Sequence, residues 1–328
     1  MKPTYQALLC IIALGLAGCS PDSTTPAPTT ANGKYPIKVT ATVGMVADLV
    51  REIGGQHVQV TQLMGSDVDP HLYKSNRDDS SALLRADIVF YSGLMLEGKM
   101  AETLKNIGTK VHSFAAAESL PAGVLKSDGD LRGHPDPHVW MNVDLWSQVA
   151  QNIGNELARF DPEHQADYHS ATESLRARLA KLHQYGIEIL GCVPERQRVL
   201  VTSHDAFRYF GEAYHMDVES LQGISTESEA TLSRMTELKR ILVERNVSSV
   251  FTESSVPKKA IEALILGTKQ MNHDVRIADS LYSDAMGREG EYEGTYIGMM
   301  DHNFTTIARA LGCDSVPEMG FRGWDIHE

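Results

Sequence analysis

Residues Asp161–Leu190 read DPEHQADYHSATESLRARLAKLHQYGIEIL, and this stretch decides how the chain is organised. Asp161 followed by Pro162 reads as an N-cap with proline at the first helical position, where a missing N–H costs nothing. From there to Leu190 the one strong breaker is Gly186. Tyr168, Ala171, Leu175, Leu179, Leu182, Tyr185 and Ile189 recur at spacings of three and four, the stripe of an amphipathic helix. A helix of about 29 residues spans roughly 43 Å, more than one small domain needs. It reads as a strut between two lobes; the alternative is one long surface helix within a single domain.

Both flanks support the strut. Before it, strands at Ile37–Val43, Val58–Met64, Asp87–Tyr91 and Lys110–Phe114 alternate with helical stretches that end near Gly54–Gly55 or cover Ser75–Arg85 and Leu96–Ile107. After it come strands at Arg198–Thr202, Val247–Thr252 and Val275–Ala278, with helices at Asp205–Tyr214, Glu229–Arg245 and Lys258–Met271. Such alternation predicts an α/β fold with mainly parallel sheets. The expected organisation is a lobe over 35–160, a linking helix over 161–191 and a second lobe over 192–328.

The N-terminal part is of another kind. Ala7–Gly18 is mostly apolar and follows Lys2; it is too short to span a bilayer, which takes roughly 20 residues, and suits a signal-peptide core. Leu16–Ala17–Gly18–Cys19 looks like a lipobox, which makes 1–18 a signal peptide and Cys19 the lipidated residue; an ordinary cleavage site with an incidental Cys is the alternative. Ser20–Gly33 is rich in Pro, Ser and Thr and reads, within 19–34, as a flexible tether. Cys192 and Cys313 remain, each after Leu–Gly; export would permit a disulfide, but spacing does not distinguish it from two buried thiols.

With 328 residues, 42% apolar and 22% charged, the chain can bury real cores, so a disordered or fibrous protein is excluded. A formal charge of −13 lacks the positive field that phosphate backbones require, which argues against nucleic-acid binding. The same charge suits attraction of cations, although acidic surfaces more often serve solubility.

Open α/β sheets bind ligands beyond the carboxyl ends of their strands. Asp69–Pro70–His71 follows the second strand, Ser203–His204 follows Arg198–Thr202, Asp279 follows Val275–Ala278, and a second Asp–Pro–His, Asp136–Pro137–His138, precedes the strut. Singly, a His means little in a chain with 13 of them. Together His71, His138, His204 and Asp279 make a four-ligand set for a divalent ion, closed as structural and transport sites are, where a catalytic zinc keeps an open position. Asp69 and Asp136 could orient the rings or serve only as turn residues. No GxSxG, HExxH, P-loop or GxGxxG is present, so no catalytic residue is assigned.

Asp69–His71, Asp136–Met141, Val201–Phe207, Gly223–Glu227, Ala278–Leu281 and Ser283–Gly287 resemble segments of the TroA-like family, the zinc/manganese solute-binding lipoproteins of ABC importers. The likeness runs from about Tyr35 to the C-terminus. It implies two (β/α) lobes around a rigid linking helix with the metal between them, and its ligand motifs fall on His71, His138, His204 and Asp279. Gly223–Glu227 and Ser283–Gly287 receive packing or docking roles. Relatives with Glu where this chain has His204 are typical manganese binders; the third His here makes the site richer in nitrogen and favours zinc, with manganese close behind. Against dedicated zinc uptake, the long His-rich loop of many zinc-specific relatives is replaced here by Ser127–His134 with a single His.

The expectation is therefore an extracytoplasmic, lipid-anchored, monomeric binding protein, not an enzyme, that carries Zn2+ or Mn2+ to an ABC permease and its ATPase. Its affinity should fall as pH drops through the imidazole range near 6.5. A zinc-dependent hydrolase and a metal-independent surface adhesin are the alternatives.

Overall fold

The computed structural model describes residues 33–127 and 133–324. In the first lobe β1 (Ile37–Ala41), β2 (Val58–Gln62), β3 (Ile88–Tyr91) and β4 (His112–Ala115) form one parallel sheet in the order β2-β1-β3-β4. β1 and β3 are short β-branched and aromatic runs, almost wholly buried, as central parallel strands covered on both faces must be. Helices α1 (Gly44–Gly54), α2 (Arg77–Arg85) and α3 (Ala101–Gly108) make the crossovers. α2 starts two residues later than the sequence suggests, because Asn76 and Asp79 close a reciprocal capping box that fixes its first turn.

The second lobe repeats the plan. β5 (Val199–Thr202) pairs in parallel with β6 (Asp217–Ser220), and β7 (Ser249–Glu253) with β8 (Arg276–Leu281); β5 lies beside β7, so strand order turns between them. In each lobe the direction of winding reverses at the middle of the sheet, which opens a crevice at the strand ends.

Between the lobes runs the predicted strut. α4 (Val143–Phe160) leads through a 3₁₀ turn, Pro162–His164, into α5 (Gln165–Gly191). Asp161 does not cap α5: its buried carboxylate accepts hydrogen bonds from Tyr35 Oη, Tyr168 Oη and His164 Nδ1, each at 2.8 Å. Tyr168, Leu175, Leu179, Leu182, Tyr185 and Ile189 of the stripe are buried, and α5 packs on α1 and α4 of the first lobe and on α6 (Arg208–Tyr214), α9 (Tyr296–Ala310) and α10 (Phe321–Trp324) of the second. One apolar core passes through it from lobe to lobe, and a smaller second core lies between the C-terminal strands and α7 (Leu232–Glu244) and α8 (Lys259–Lys269). Cys192 and Cys313 form a disulfide with Cα atoms 5.5 Å apart, tying the end of α5 to the end of α9.

α4, β6 and α9 are absent from the sequence reading. α4 buries twelve of its eighteen residues and α9 eleven of its fifteen, and the polar face that α4 keeps, Asp144, Gln148, Gln151, Asn155 and Arg159, is a narrow stripe at helical spacing.

Gly186, a breaker by sequence, is a contact residue. A Cβ there would stand 2.6 Å from Phe304 Cζ, and the Phe304 ring is fully buried. Gly186→Ala is therefore expected to lower the unfolding midpoint, by about 1–3 kcal/mol of overpacking that outweighs the ~1 kcal/mol gain in helix propensity. Thermal melts would check it; a raised midpoint would mean that α9 can shift without cost.

Candidate metal centre

The two Asp–Pro–His tripeptides fold alike. Asp69 Oδ1 accepts the His71 backbone N–H at 2.9 Å, and Asp136 Oδ1 accepts that of His138 at 3.0 Å, the carboxylate closing a turn two residues on. His71 sits in the loop after β2, and His138 leads into a 3₁₀ turn, Val139–Met141, just before α4. His204 stands two residues beyond β5, at the point where strand order turns. The last residue of β7, Glu253, accepts the N–H groups of Ser203 (2.7 Å) and His204 (2.9 Å) on Oε1.

These side chains meet Asp284, which lies in the loop after β8. His71 is 2% exposed, His138 and His204 0%, and Asp284 2%. His138 Nδ1 is 2.7 Å from Asp136 Oδ1, and His204 Nδ1 is 2.6 Å from Glu253 Oε2. Each carboxylate holds the N–H of its ring and turns Nε2 inward. The Nε2 atoms of His71 and His138 are 3.3 Å apart, and Asp284 lies 3.7 Å from His71 Nε2, 3.3 Å from His138 Nε2 and 3.1 Å from His204 Nε2. All four donor atoms fall within 4.8 Å of one another. His204 Nε2 and both Asp284 oxygens are buried without hydrogen-bond geometry to any partner. Orphaned groups of this kind cost roughly 1–3 kcal/mol each, and a single cation at their centre would satisfy all of them.

Burial sets the charges. It pushes the His71 imidazole down to about 3, even though Asp284 pulls the other way. Burial acts in the same sense on His138, but the carboxylates of Asp136 and Asp284 outweigh it and raise this ring to about 9. For His204, Asp284 and Glu253 overcome burial and lift it well above its ordinary value. Asp284 is held well below the carboxylate range, against its own burial, by His204 and His138.

Asp279 is not part of this group. The sequence reading ends the last strand at Ala278, whereas β8 continues to Leu281. Pairing with β7 slips from Val250↔Ile277 to Thr252↔Ser280, so β8 carries one extra residue here. Asp279 lies in this irregular stretch with an exposed side chain, and its carboxylate accepts the neighbouring Ser280 N–H at 2.9 Å. The strand-end rule holds with the boundary moved, and the residue beyond it is Asp284. Ser283–Gly287 was assigned packing or docking; its Asp284 joins the three histidines. Glu253 was missed as well, since a Glu at the end of an apolar strand carries no sequence signal that separates it from a surface residue. Of the two candidate ring-orienting carboxylates, Asp136 reaches its His ring and Asp69 does not; its second oxygen accepts Thr226 Oγ1–H at 2.6 Å. Cys19, the signal segment, most of the tether and most of the Ser127–His134 loop lie outside the described residues.

Residues 39–310 match the family described as ZnuA, zinc-uptake complex component A, periplasmic. The chain belongs to this family of metal-binding substrate-binding proteins. It is 42% identical over 311 residues to the manganese-binding lipoprotein MntA of Bacillus subtilis (strain 168), covering 95% of this chain and 100% of that one. It is 38% identical over 302 residues to the zinc-binding protein TroA of Treponema pallidum (strain Nichols), covering 92% and 97%. The solved structure of the periplasmic zinc-binding protein TroA from Treponema pallidum superposes with a TM-score of 0.81 at 38% identity, over 84% of this chain and 99% of that one.

The raised and lowered imidazoles predict how the metal-free protein responds to pH. His138 is charged when folded and neutral when unfolded between about 6.5 and about 9, so its contribution is full below 6.5 and lost as pH rises through 9. His71 works in the opposite sense, and its contribution is lost as pH falls from 6.5 towards 3. Melts in the presence of chelator should show a midpoint that declines as pH rises from about 6.5 through 9. A flat profile from there to pH 9 would mean that His138 is neutral.

Proposed function

We propose that the protein is the extracytoplasmic binding component of an ABC-type importer for divalent transition metals, with zinc as the favoured cargo and manganese close behind. The observation that carries this reading is the convergence of His71, His138, His204 and Asp284, buried and with orphaned donor atoms. Three nitrogens and one carboxylate suit zinc, and four protein ligands complete a tetrahedral shell. A hydrolytic zinc needs an open position and a placed base. The matched family is a component of a metal-uptake complex and its named relatives bind zinc or manganese, so neither the hydrolase nor the adhesin finds support.

The chain delivers its cargo to a permease driven by an ATPase. It is held at the membrane by lipid on Cys19, as a monomer. Among the described residues no helix is long and apolar enough to cross a membrane. The ligand residues act through their own protonation: cargo displaces the protons held on His138 and His204, so affinity rises with pH beyond the ordinary imidazole range.

Zinc affinity, measured by competition with a chromophoric chelator, should separate the two aspartates. Asp279→Ala should match the wild type. Glu253→Gln should weaken binding by about 10–100-fold through its hold on His204, and Asp284→Ala by more. Weakening by Asp279→Ala with Asp284→Ala unaffected would return the ligand role to Asp279, and a wild-type chain that takes up neither zinc nor manganese would overturn the reading.

A further inference from the structure

The four cargo-facing side chains are not equally held. Trp140, two residues after His138, donates Nε1–H to the carbonyl of Ser283, the residue before Asp284, at 2.9 Å. Tyr296 Oη donates to the Trp140 carbonyl at 2.6 Å. Trp140 and Tyr296 are buried, so these bonds staple the His138 turn of the first lobe to the Asp284 loop of the second. The rings of His138 and His204 are locked by Asp136 and Glu253. Three ligands thus form a braced tripod.

His71 differs in two ways. No group among the described residues hydrogen-bonds its Nδ1. Of the four it alone borders the cavity of about 740 Å³ that opens between Met95 and Gly98 on one side and Asp205 and Ser225 on the other. Its position comes from its backbone, through Asp69: Oδ1 takes the His71 N–H at 2.9 Å, while Oδ2 takes the hydroxyl of Thr226 from the opposite lobe at 2.6 Å. One carboxylate therefore couples the His71 turn to the facing segment, where Lys99 and Glu227 also meet across the cleft at 2.5 Å.

We propose that His71 is the gate ligand, that cargo enters and leaves on its side through this cavity while the tripod stays assembled, and that the Asp69–Thr226 hydrogen bond is the latch that sets the release rate. Asp69 and Thr226 are then positioning residues that act through His71 and touch no metal. This rests on the metal-binding reading above.

Thr226→Val keeps the shape of the side chain and removes its donor. Loaded with zinc and mixed with excess fluorescent chelator in a stopped-flow instrument, this variant should release zinc about tenfold faster than the wild type, the lower end of what a hydrogen bond to a charged acceptor carries. Thr226→Ser, which restores the donor, should return the rate to that of the wild type. The absorption spectrum of the cobalt(II)-loaded protein should not move in either variant, since the tripod is untouched. Release at the wild-type rate by Thr226→Val, or equally fast release by Thr226→Ser and Thr226→Val, would overturn the latch while leaving metal binding intact. Failure of the wild-type chain to take up zinc at all would overturn the binding reading and the latch with it.

Discussion

The rest of the structure is arranged around four polar side chains gathered away from solvent, where His204 Nε2 and both Asp284 oxygens are left without a hydrogen-bond partner. Nothing in the apolar core requires His71, His138, His204 and Asp284 to converge, and their burial opposes folding. The arrangement persists because the surroundings over-determine it. Asp136 and Glu253 hold two rings by their Nδ1–H groups, and the Asp–Pro–His turns fix two backbones. The two lobes then supply the set in halves: His71 and His138 from one, His204 and Asp284 from the other. A cation that binds all four therefore also binds the lobes to each other.

How far the lobes can part is set by α5. A hinge made of loops would leave each lobe its own core, but here one apolar cluster passes through α5 without a break. Gly154 and Gly186 let α4 and α9 approach it closely, at Thr172 and Phe304. The Cys192–Cys313 disulfide fastens the far end, and Asp48 of α1 accepts the Tyr296 N–H at the start of α9. Large opening would expose this shared core and cost hydrophobic free energy in proportion to the area uncovered. Movement confined to the His71 turn, which borders the cavity, leaves this shared core covered, which is why exchange at that side chain suits this architecture better than wide separation of the lobes.

Much of this was legible in the residues. The strut was readable because Tyr168, Leu175, Leu179, Leu182, Tyr185 and Ile189 keep helical spacing over many turns, and long periodic signals survive local noise. His71 and His138 were readable from a repeated tripeptide whose turn is locally determined, and the structure shows the same Asp carboxylate-to-backbone bond in both. His204 was readable as the residue beyond a strand of β-branched and apolar residues. Where no local signal exists the reading failed. β8 is an irregular strand with an extra residue, so Asp279 and Ser280 resemble loop, and the carboxylate that joins the three histidines lies five residues beyond Asp279.

The sequence by itself determined the α/β alternation and the linking helix and singled out His71, His138 and His204, three of the four side chains that converge, because each follows from periodicity or from a turn only a few residues long. Tertiary structure alone decided the fourth member of the cluster, Asp284, the hold of Glu253 on His204, the Cys192–Cys313 bond and the tie between Asp69 and Thr226. These pairs are separated by dozens to more than a hundred residues in sequence. Their partners are selected by where the two lobes bring them, and neither periodicity nor a turn rule carries information over that distance.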